Sequence, residues 1–155
     1  MSIEQDLSAA KVSHLDLTSF AQVPSGTPIL EVLSIMRDQQ LSAVLVTEQD
    51  RLVGIFTERD VLSRVADEPS TWKLPVDDMM TASPQSVSPD AMVQEALQLM
   101  NAGHYRNVPV VDPDGRVVGN LSQYSVVKFL TDQYPREIYN LPPDPEAIPR
   151  AREGA

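Results

Sequence analysis

The chain contains an internal repeat, and this repeat limits the folds that it can adopt. Residues 22–46 and 86–110 align without a gap at an offset of 64 residues. The matched pairs include Val23 with Val87, Glu31 with Glu95, Leu33 with Leu97 and Met36 with Met100. After one extra residue in the second copy, Gly54 matches Gly119 at an offset of 65. Repeated units bury apolar surface against one another, so the pattern predicts two similar units packed together.

Each copy has the same order of secondary-structure signals. Apolar residues recur first at helical spacing, then in two short runs typical of strands, then at helical spacing again. The predicted helices are 27–40, 58–66, 90–103 and 123–131, and the predicted strands are 43–47, 52–56, 108–111 and 117–121. Asp90 is the predicted N-cap and Gly103 the predicted C′ residue of the third helix. We therefore expect a mixed α/β (α+β) fold of two helix–strand–strand–helix repeats, packed through their sheets with pseudo-two-fold symmetry.

The chain ends in a proline-rich tail that the repeat does not include. Five of the 13 prolines follow Tyr134, and proline fixes φ and removes an amide donor, so we expect no regular structure there. The last ten residues or so are predicted to be disordered, although Ile138, Tyr139 and Leu141 offer apolar surface for docking. The predicted segments are a lead-in at 1–15, a first repeat at 16–75, a second repeat at 76–133 and a tail at 134–155.

Charge and hydropathy exclude several classes of partner. There are 22 acidic and 12 basic residues, a net charge of −10, and the bases form no cluster along the sequence. Such a chain repels phosphate backbones and anionic lipid, so we expect neither nucleic-acid nor membrane binding. The apolar runs are far shorter than the roughly 20 residues that span a bilayer, and no basic, apolar leader begins the chain. We expect a cytoplasmic protein.

The segment "GIFTERD", residues 54–60, places Thr57 and Asp60 where the second predicted strand passes into a helix. One interpretation is a helix cap, since Ser/Thr-x-x-acid is close to a capping box and an acid suits the first turn. The other is a ligand site. A phosphate binds well at a helix N-terminus beside a hydroxyl, and a carboxylate one turn later can accept hydrogen bonds from a ribose diol. The two interpretations are compatible.

Taken together, these motifs resemble cystathionine-β-synthase-like (CBS) domains in the tandem arrangement called a Bateman module. The resemblance rests on "EVLSIM" and "EALQLM", "VPVVDPDGRVVG", "DDMMTASPQSVSPD" and "GIFTERD", and covers roughly residues 16–132. It implies a regulatory module without catalysis of its own. Such modules bind adenosine-containing ligands (AMP, ADP, ATP or S-adenosylmethionine) between the repeats and commonly form flat dimers. The chain resembles the stand-alone bacterial type, which regulates an as yet unknown partner protein in trans.

The resemblance also assigns roles at the start of each second helix. In the family, the threonine of this pattern binds phosphate and the aspartate binds ribose, which correspond here to Thr57 and Asp60. In the second copy Ser122 keeps the hydroxyl, but Ser125 replaces the aspartate. A serine cannot supply a charged pair of acceptors. We therefore predict one competent site and a weak, empty or altered pseudo-site at Ser122 and Ser125.

In the family each site is completed by the other repeat, and this adds four candidates. Arg106 could bind a phosphate bidentately, or it could be a surface residue paired with an acid. Asn107 and the backbone at Val108 could contact ligand. Thr81 is a further candidate, for which a role in capping a loop is the alternative.

Other kinds of site have little support in the sequence. His14 and His104 have no neighbouring ligand pair, and there is no cysteine, so we expect no metal site. "DPDG" at 112–115 is interpreted as a hairpin turn rather than a calcium loop, because Gln123 occupies the position that needs a bidentate glutamate. No catalytic constellation appears, so we expect no enzyme. The alternative function is a ligand-independent dimeric scaffold that recruits another protein.

Overall fold

A computed structural model describes residues 3–133 of the 155-residue chain, so the predictions about the tail lie outside the described residues. Within this range the helices are α1 (Ile3–Ala9), α2 (Ile29–Gln39), α3 (Glu58–Asp60), α4 (Val93–Gly103) and α5 (Gln123–Gln133). The strands are β1 (Ala21–Pro24), β2 (Ala43–Glu48), β3 (Arg51–Thr57), β4 (Thr81–Ala82), β5 (Asn107–Val111) and β6 (Val117–Ser122). Each strand predicted from the sequence lies within an observed one.

The strands form two similar antiparallel hairpins. In the first repeat the sheet order is β1-β2-β3-β4, with β1 parallel to β2 and the other pairs antiparallel. In the second repeat β5 pairs with β6, and Val87 bridges in parallel to Val110, which corresponds to the pairing of β1 with β2. The register of both hairpins shifts at equivalent points, after Val46 and after Val110. The repeat in the sequence is therefore also a repeat in three dimensions.

Each hairpin is covered on one face by helices and contacts the other repeat on its second face. Helix α2 buries Ile29, Val32 and Met36, and α4 buries Val93, Ala96 and Met100, while Leu33 and Leu97 are partly buried against the same clusters. On the opposite face of the first sheet, Ala43, Leu45 and Ile55 form a buried cluster with Phe20 and with Val117 of the second repeat. This cluster confirms the prediction that the repeats pack through their sheets.

The lead-in to the first repeat packs into the core of the second. Val12 is fully buried in the cluster that includes Val93 and Leu121. Its backbone N–H donates to Ala91 (2.9 Å), and the N–H of Val93 donates to Ala10 (2.9 Å). The lead-in is therefore part of the second repeat's core.

The linker, which is the segment between α3 and β4, packs into the core of the first repeat as the lead-in packs into the core of the second. Val76 is fully buried in the cluster of the first sheet, and its N–H donates to Thr27 (2.8 Å). The N–H of Ile29 donates to Leu74 (2.9 Å). These contacts reproduce those of the lead-in at an offset of 64, so the structural repeat extends back to about residue 10, before the aligned segment that starts at residue 22.

Both predicted ends of α4 are wrong. The helix begins at Val93 with Met92 as its N-cap residue, because the backbone of Met92 is held in an extended bridge with Lys11 of the lead-in. Asp90 lies before this bridge. At the other end Gly103 is still helical, and His104 adopts the left-handed conformation (φ 56°).

The helix predicted at 58–66 is only partly α-helical. Its first turn is α3, and Val61–Val65 continue as a π-helical turn closed by a hydrogen bond from the Ala66 N–H to Val61 (2.8 Å). The equivalent helix of the second repeat, α5, is α-helical from its first described residue to its last.

Candidate functional site

Thr57 and Asp60 meet where β3 passes into α3. The Asp60 Oδ2 atom accepts hydrogen bonds from the Thr57 backbone N–H (3.0 Å) and from the Thr57 hydroxyl (3.3 Å). Thr57 has extended backbone angles typical of an N-cap, and Asp60 is 7% exposed. The helix-cap interpretation therefore describes how the two side chains are held.

The cap uses only part of the hydrogen-bonding capacity of this pair. Both hydrogen bonds to Asp60 go to Oδ2, and among residues 3–133 Oδ1 accepts none. A carboxylate has acceptor positions on both oxygens, so one oxygen remains for a ligand hydroxyl. The Glu58 N–H is already committed to the Ser42 carbonyl (3.0 Å), so not every amide of the first turn is available to a ligand.

The second repeat approaches this helix start directly. Arg59 Nη2 donates to the His104 carbonyl oxygen (2.9 Å), and His104 lies just before β5. This contact brings the segment that contains Arg106 beside the segment that contains Thr57 and Asp60. Arg106 is exposed, and its guanidinium forms no ion pair with any described residue. The alternative in which Arg106 is paired with an acid therefore finds no support in the described part of the chain.

The other predicted residues have different surroundings. Val108 is 1% exposed in the second core, so only its backbone could reach a ligand. Thr81 is exposed in β4 and lies opposite Ile55 in the sheet. The linker crosses β3 closely there: a Cβ atom on Gly54 would lie 2.1 Å from the Met80 sulfur. A side chain at position 54 would therefore displace the Met80 side chain from its place against β3.

In the second repeat Ser122 and Ser125 bond to each other. The Ser125 N–H donates to the Ser122 hydroxyl (3.1 Å), the Ser122 N–H donates to the Ser125 hydroxyl (3.2 Å), and the two hydroxyl oxygens are 2.9 Å apart. Both residues are buried, at 6% and 1% exposure. The Ser122–Ser125 pair is therefore an uncharged helix cap in which the two residues hydrogen-bond to each other.

Asn120 is a buried polar residue that our reasoning from the sequence did not identify. It is fully buried, and its Nδ2 donates to the Asn107 Oδ1 (2.9 Å) and to the Ser19 carbonyl (3.2 Å). Its Oδ1 has no hydrogen-bond partner among the described residues. The alignment of the repeats could have identified Asn120, because the first repeat has the apolar residue Ile55 at the same position.

A shallow cleft of about 260 Å³ lies elsewhere, where the hairpin turns of the two repeats meet. Its lining residues are Leu52, Ser83, Pro84, Ser86, Val111 and Gly115. Within residues 3–133 no three acidic or histidine side chains are grouped as a metal site, and no helix there is long and apolar enough to cross a membrane.

Comparison with known proteins identifies the fold. A family model described as "CBS domain" matches residues 12–67 and 76–132, which is most of the chain. The chain belongs to the CBS-domain family. A CBS domain-containing protein of Arabidopsis thaliana is 33% identical over 127 residues, which are 81% of this chain but 23% of the plant protein. A 17.7 kDa protein of Acidianus ambivalens is 30% identical over 80% of this chain and 75% of its own length.

Solved structures of CBS proteins have the same architecture. A putative signal-transduction protein with CBS domains from Burkholderia ambifaria is 27% identical, with a TM-score of 0.67 over 86% of this chain and 96% of that one. A CBS domain protein from Pyrobaculum aerophilum, complexed with AMP, is 24% identical, with a TM-score of 0.69 over 75% of this chain and 89% of that one. The chain is therefore a CBS pair in fold as well as in sequence.

Proposed function

We propose that this CBS pair is a regulatory module, and not an enzyme, that binds an adenosine-containing ligand between its repeats and modulates a partner protein. The observation that carries the proposal is the Asp60 carboxylate, held at the start of α3 with one oxygen outside the cap. The complex of the Pyrobaculum protein with AMP supports this ligand class. AMP, ADP, ATP and S-adenosylmethionine are all candidates.

The residues have distinct roles in the proposed site. In the proposed complex Asp60 Oδ1 accepts hydrogen bonds from the ribose diol, and the Thr57 hydroxyl donates its proton to the phosphate at the start of α3 instead of to Asp60 Oδ2. Arg106 approaches the phosphate from the second repeat, since the contact between Arg59 and His104 holds that segment nearby. Thr81 and Asn107 are further candidates for contact with the ligand at this site. A ligand that contacts both repeats stabilises one arrangement of them, and it can regulate only by its difference in affinity for two arrangements.

The first test is a thermal-shift panel of AMP, ADP, ATP and S-adenosylmethionine, with and without magnesium, followed by titration calorimetry. A ligand at one hundred times its Kd stabilises by about 2.7 kcal/mol, which raises Tm by several degrees. Asp60→Ala should weaken binding by about 10- to 100-fold, because a hydrogen bond to a charged group contributes about 1.5–3 kcal/mol. Asp67→Ala, an exposed aspartate of the same repeat, is the matched control. Unchanged affinity in the Asp60 variant would contradict this site.

A ligand-independent scaffold is the second candidate, and exposed apolar side chains favour it. Leu62 is 75% exposed, Tyr124 67% and Val127 54%, which suits association with a protein. This function predicts a flat ligand panel for the folded chain, and loss of the dimer or of the partner when the chain is truncated after Asp132. A selective thermal shift that Asp60→Ala abolishes would support the regulatory module and contradict the ligand-independent scaffold.

A further inference from the structure

The helix that follows each hairpin differs in its hydrogen bonding between the two repeats. In the first repeat Val61–Val65 form a π-helical turn, closed by the Ala66 N–H on the Val61 carbonyl (2.8 Å), whereas α5 is α-helical over all of its 11 residues. Turns of the π type are rare and are found frequently at functional sites. The first repeat therefore combines two features that α5 lacks, a cap with a carboxylate, Asp60, and a π turn directly after it.

Side chains of the π turn and of the linker hold this turn in place. The Trp72 indole N–H donates to the Val65 carbonyl oxygen (3.1 Å), and Arg64 Nη1 donates to the Met79 carbonyl oxygen (3.1 Å). Val65 is 1% exposed and belongs to the core of the first repeat, whereas Leu62 is 75% exposed. The π turn is thus anchored at its C-terminal end and exposed on its outer side.

The same residues can also adopt an α-helical register. In that register the Ala66 N–H donates to Leu62, four residues earlier, instead of to Val61, five residues earlier. The equivalent residues of α5 are α-helical, and the apolar spacing of the sequence predicts a helix over 58–66. The two registers differ by one residue, which corresponds to a rotation of about 100° about the helix axis. A change of register therefore turns the exposed Leu62 relative to the buried Val65.

We propose that the π turn is a conformational switch, in which a ligand at the first site stabilises the α register of Val61–Val65 and the Trp72 indole stabilises the π register. Asp60, the last residue of α3, connects the ligand directly to the turn. A continuous α-helix aligns its peptide dipoles and attracts a phosphate at its start more strongly than an interrupted one. This difference in affinity for the two registers shifts the population between them. The switch rests on the proposed function, because it needs a phosphate-bearing ligand at Thr57 and Asp60.

The consequence of the switch is a surface that depends on ligand. Leu62 is the most exposed of the large apolar side chains in the described part of the chain, and it lies on the outer side of the turn. Its direction differs between the two registers, so a protein that binds against Leu62 distinguishes the liganded chain from the unliganded one. The second repeat presents its equivalent residue, Val127, on a regular helix and offers no such change.

The register can be measured by NMR on the isotopically labelled full-length chain, from the scalar coupling across the hydrogen bond of the Ala66 N–H. Without AMP we expect coupling of the Ala66 nitrogen to the Val61 carbonyl carbon, and with saturating AMP to that of Leu62. The nitrogen of Thr131, at the equivalent position of α5, should stay coupled to Val127 under both conditions and is the internal control.

Trp72→Phe tests the role of the indole as a positioning group. The variant keeps an aromatic side chain but removes the donor to Val65, so the α register becomes less costly and AMP should bind about three- to tenfold more tightly. A role in packing alone predicts binding that is weaker or unchanged. Tyr124→Phe, at an exposed aromatic residue of α5, is the matched control and should leave the affinity unchanged.

Two results would overturn the switch and leave the proposed function standing. One is AMP binding, measured by calorimetry, while Ala66 stays coupled to Val61. The other is a folded Trp72→Phe protein that binds AMP no more tightly than the wild-type chain. A wild-type chain that does not bind AMP overturns the switch, and it overturns the proposed function as well when the other ligands of the thermal-shift panel also fail to bind. If Trp72→Phe does not fold, the coupling of Ala66 in the wild-type chain still decides.

Discussion

Asp60 and Asn120 show what single residues reveal in a sequence and what they do not. The pairing of Asp60 with Thr57 could be predicted, because Thr-x-x-acid before an apolar helix is a recognisable pattern and both bonds are local. Asn120 belongs to no local pattern. It lies within an apolar strand, and its partners Ser19 and Asn107 are 101 and 13 residues away. Only the alignment of the two repeats distinguishes Asn120, because the equivalent residue of the first repeat is Ile55.

Arg106 is expected to recognise the phosphate of a ligand in the first site. Arg106→Ala should weaken AMP binding by about tenfold and leave adenosine binding unchanged, since a guanidinium contact to phosphate contributes more than a neutral hydrogen bond. Calorimetric titration with both ligands measures the difference. Arg116→Ala removes another exposed arginine, at the hairpin turn, and should change neither affinity. Equal affinity of the wild-type chain for AMP and adenosine would exclude this role.

At the scale of elements, the helices and strands could be predicted, but the packing of the lead-in into the core of the second repeat could not. Apolar periodicity depends on residues close in sequence, whereas the position of the lead-in depends on contacts such as that of Val12 with Ala91. At α4, the counterpart of α2 in the second repeat, both predicted caps were also wrong. Both helices end in a left-handed residue that is not glycine, Gln40 (φ 54°) and His104 (φ 56°). The usual expectation of glycine therefore led to the wrong residue.

Because the lead-in packs into the core of the second repeat, a mutation in the lead-in should destabilise the second repeat. Val12→Ala should lower the free energy of unfolding by about 1–3 kcal/mol, because it removes buried methyl groups from a fully packed position. Hydrogen exchange should accelerate first at β5 and β6. The matched variant Val76→Ala should accelerate it first at β2 and β3. Faster exchange of the same strands in both variants would show that the two cores do not open separately.

A salt bridge fastens the segment that follows the lead-in to α5 and should make this attachment depend on pH. Lys128 Nζ lies 2.7 Å from Asp16 Oδ2, and the hydrogen bonds from Lys128 and then from Thr18 hold the pKa of Asp16 far below its usual range. A lowered pKa means that the stabilisation is complete above the unfolded-state pKa of about 3.9 and is lost as pH falls through the folded-state pKa. Asp16→Asn should therefore lower Tm at pH 7 but progressively less below about pH 4. A Tm difference that is constant from pH 3 to pH 7 would contradict this linkage.

At the scale of the whole molecule, the repeat in the sequence was sufficient to predict the architecture. A hairpin with one face covered by a helix has a second face to bury, and the cluster of Ala43, Leu45 and Ile55 with Val117 shows that the other repeat covers it. The sequence did not indicate which outer surfaces stay apolar. The most exposed of the large apolar side chains lie on the helices that follow the hairpins, where Leu62 and Val127 occupy equivalent positions.

These equivalent side chains predict how two copies of the chain associate. Leu62 and Val127 lie on the π-helical turn after α3 and on α5, so a homodimer formed through both helices would bury an apolar residue from each repeat. Leu62→Glu and Val127→Glu should each convert the dimer to a monomer, because a buried unpaired carboxylate costs several kcal/mol. Light scattering after size-exclusion chromatography measures the mass. Leu30→Glu, at a 52% exposed position on α2, should leave the dimer intact. A wild-type monomer at micromolar concentration would exclude the dimer, and dissociation by the Leu30 variant alone would move the interface to α2.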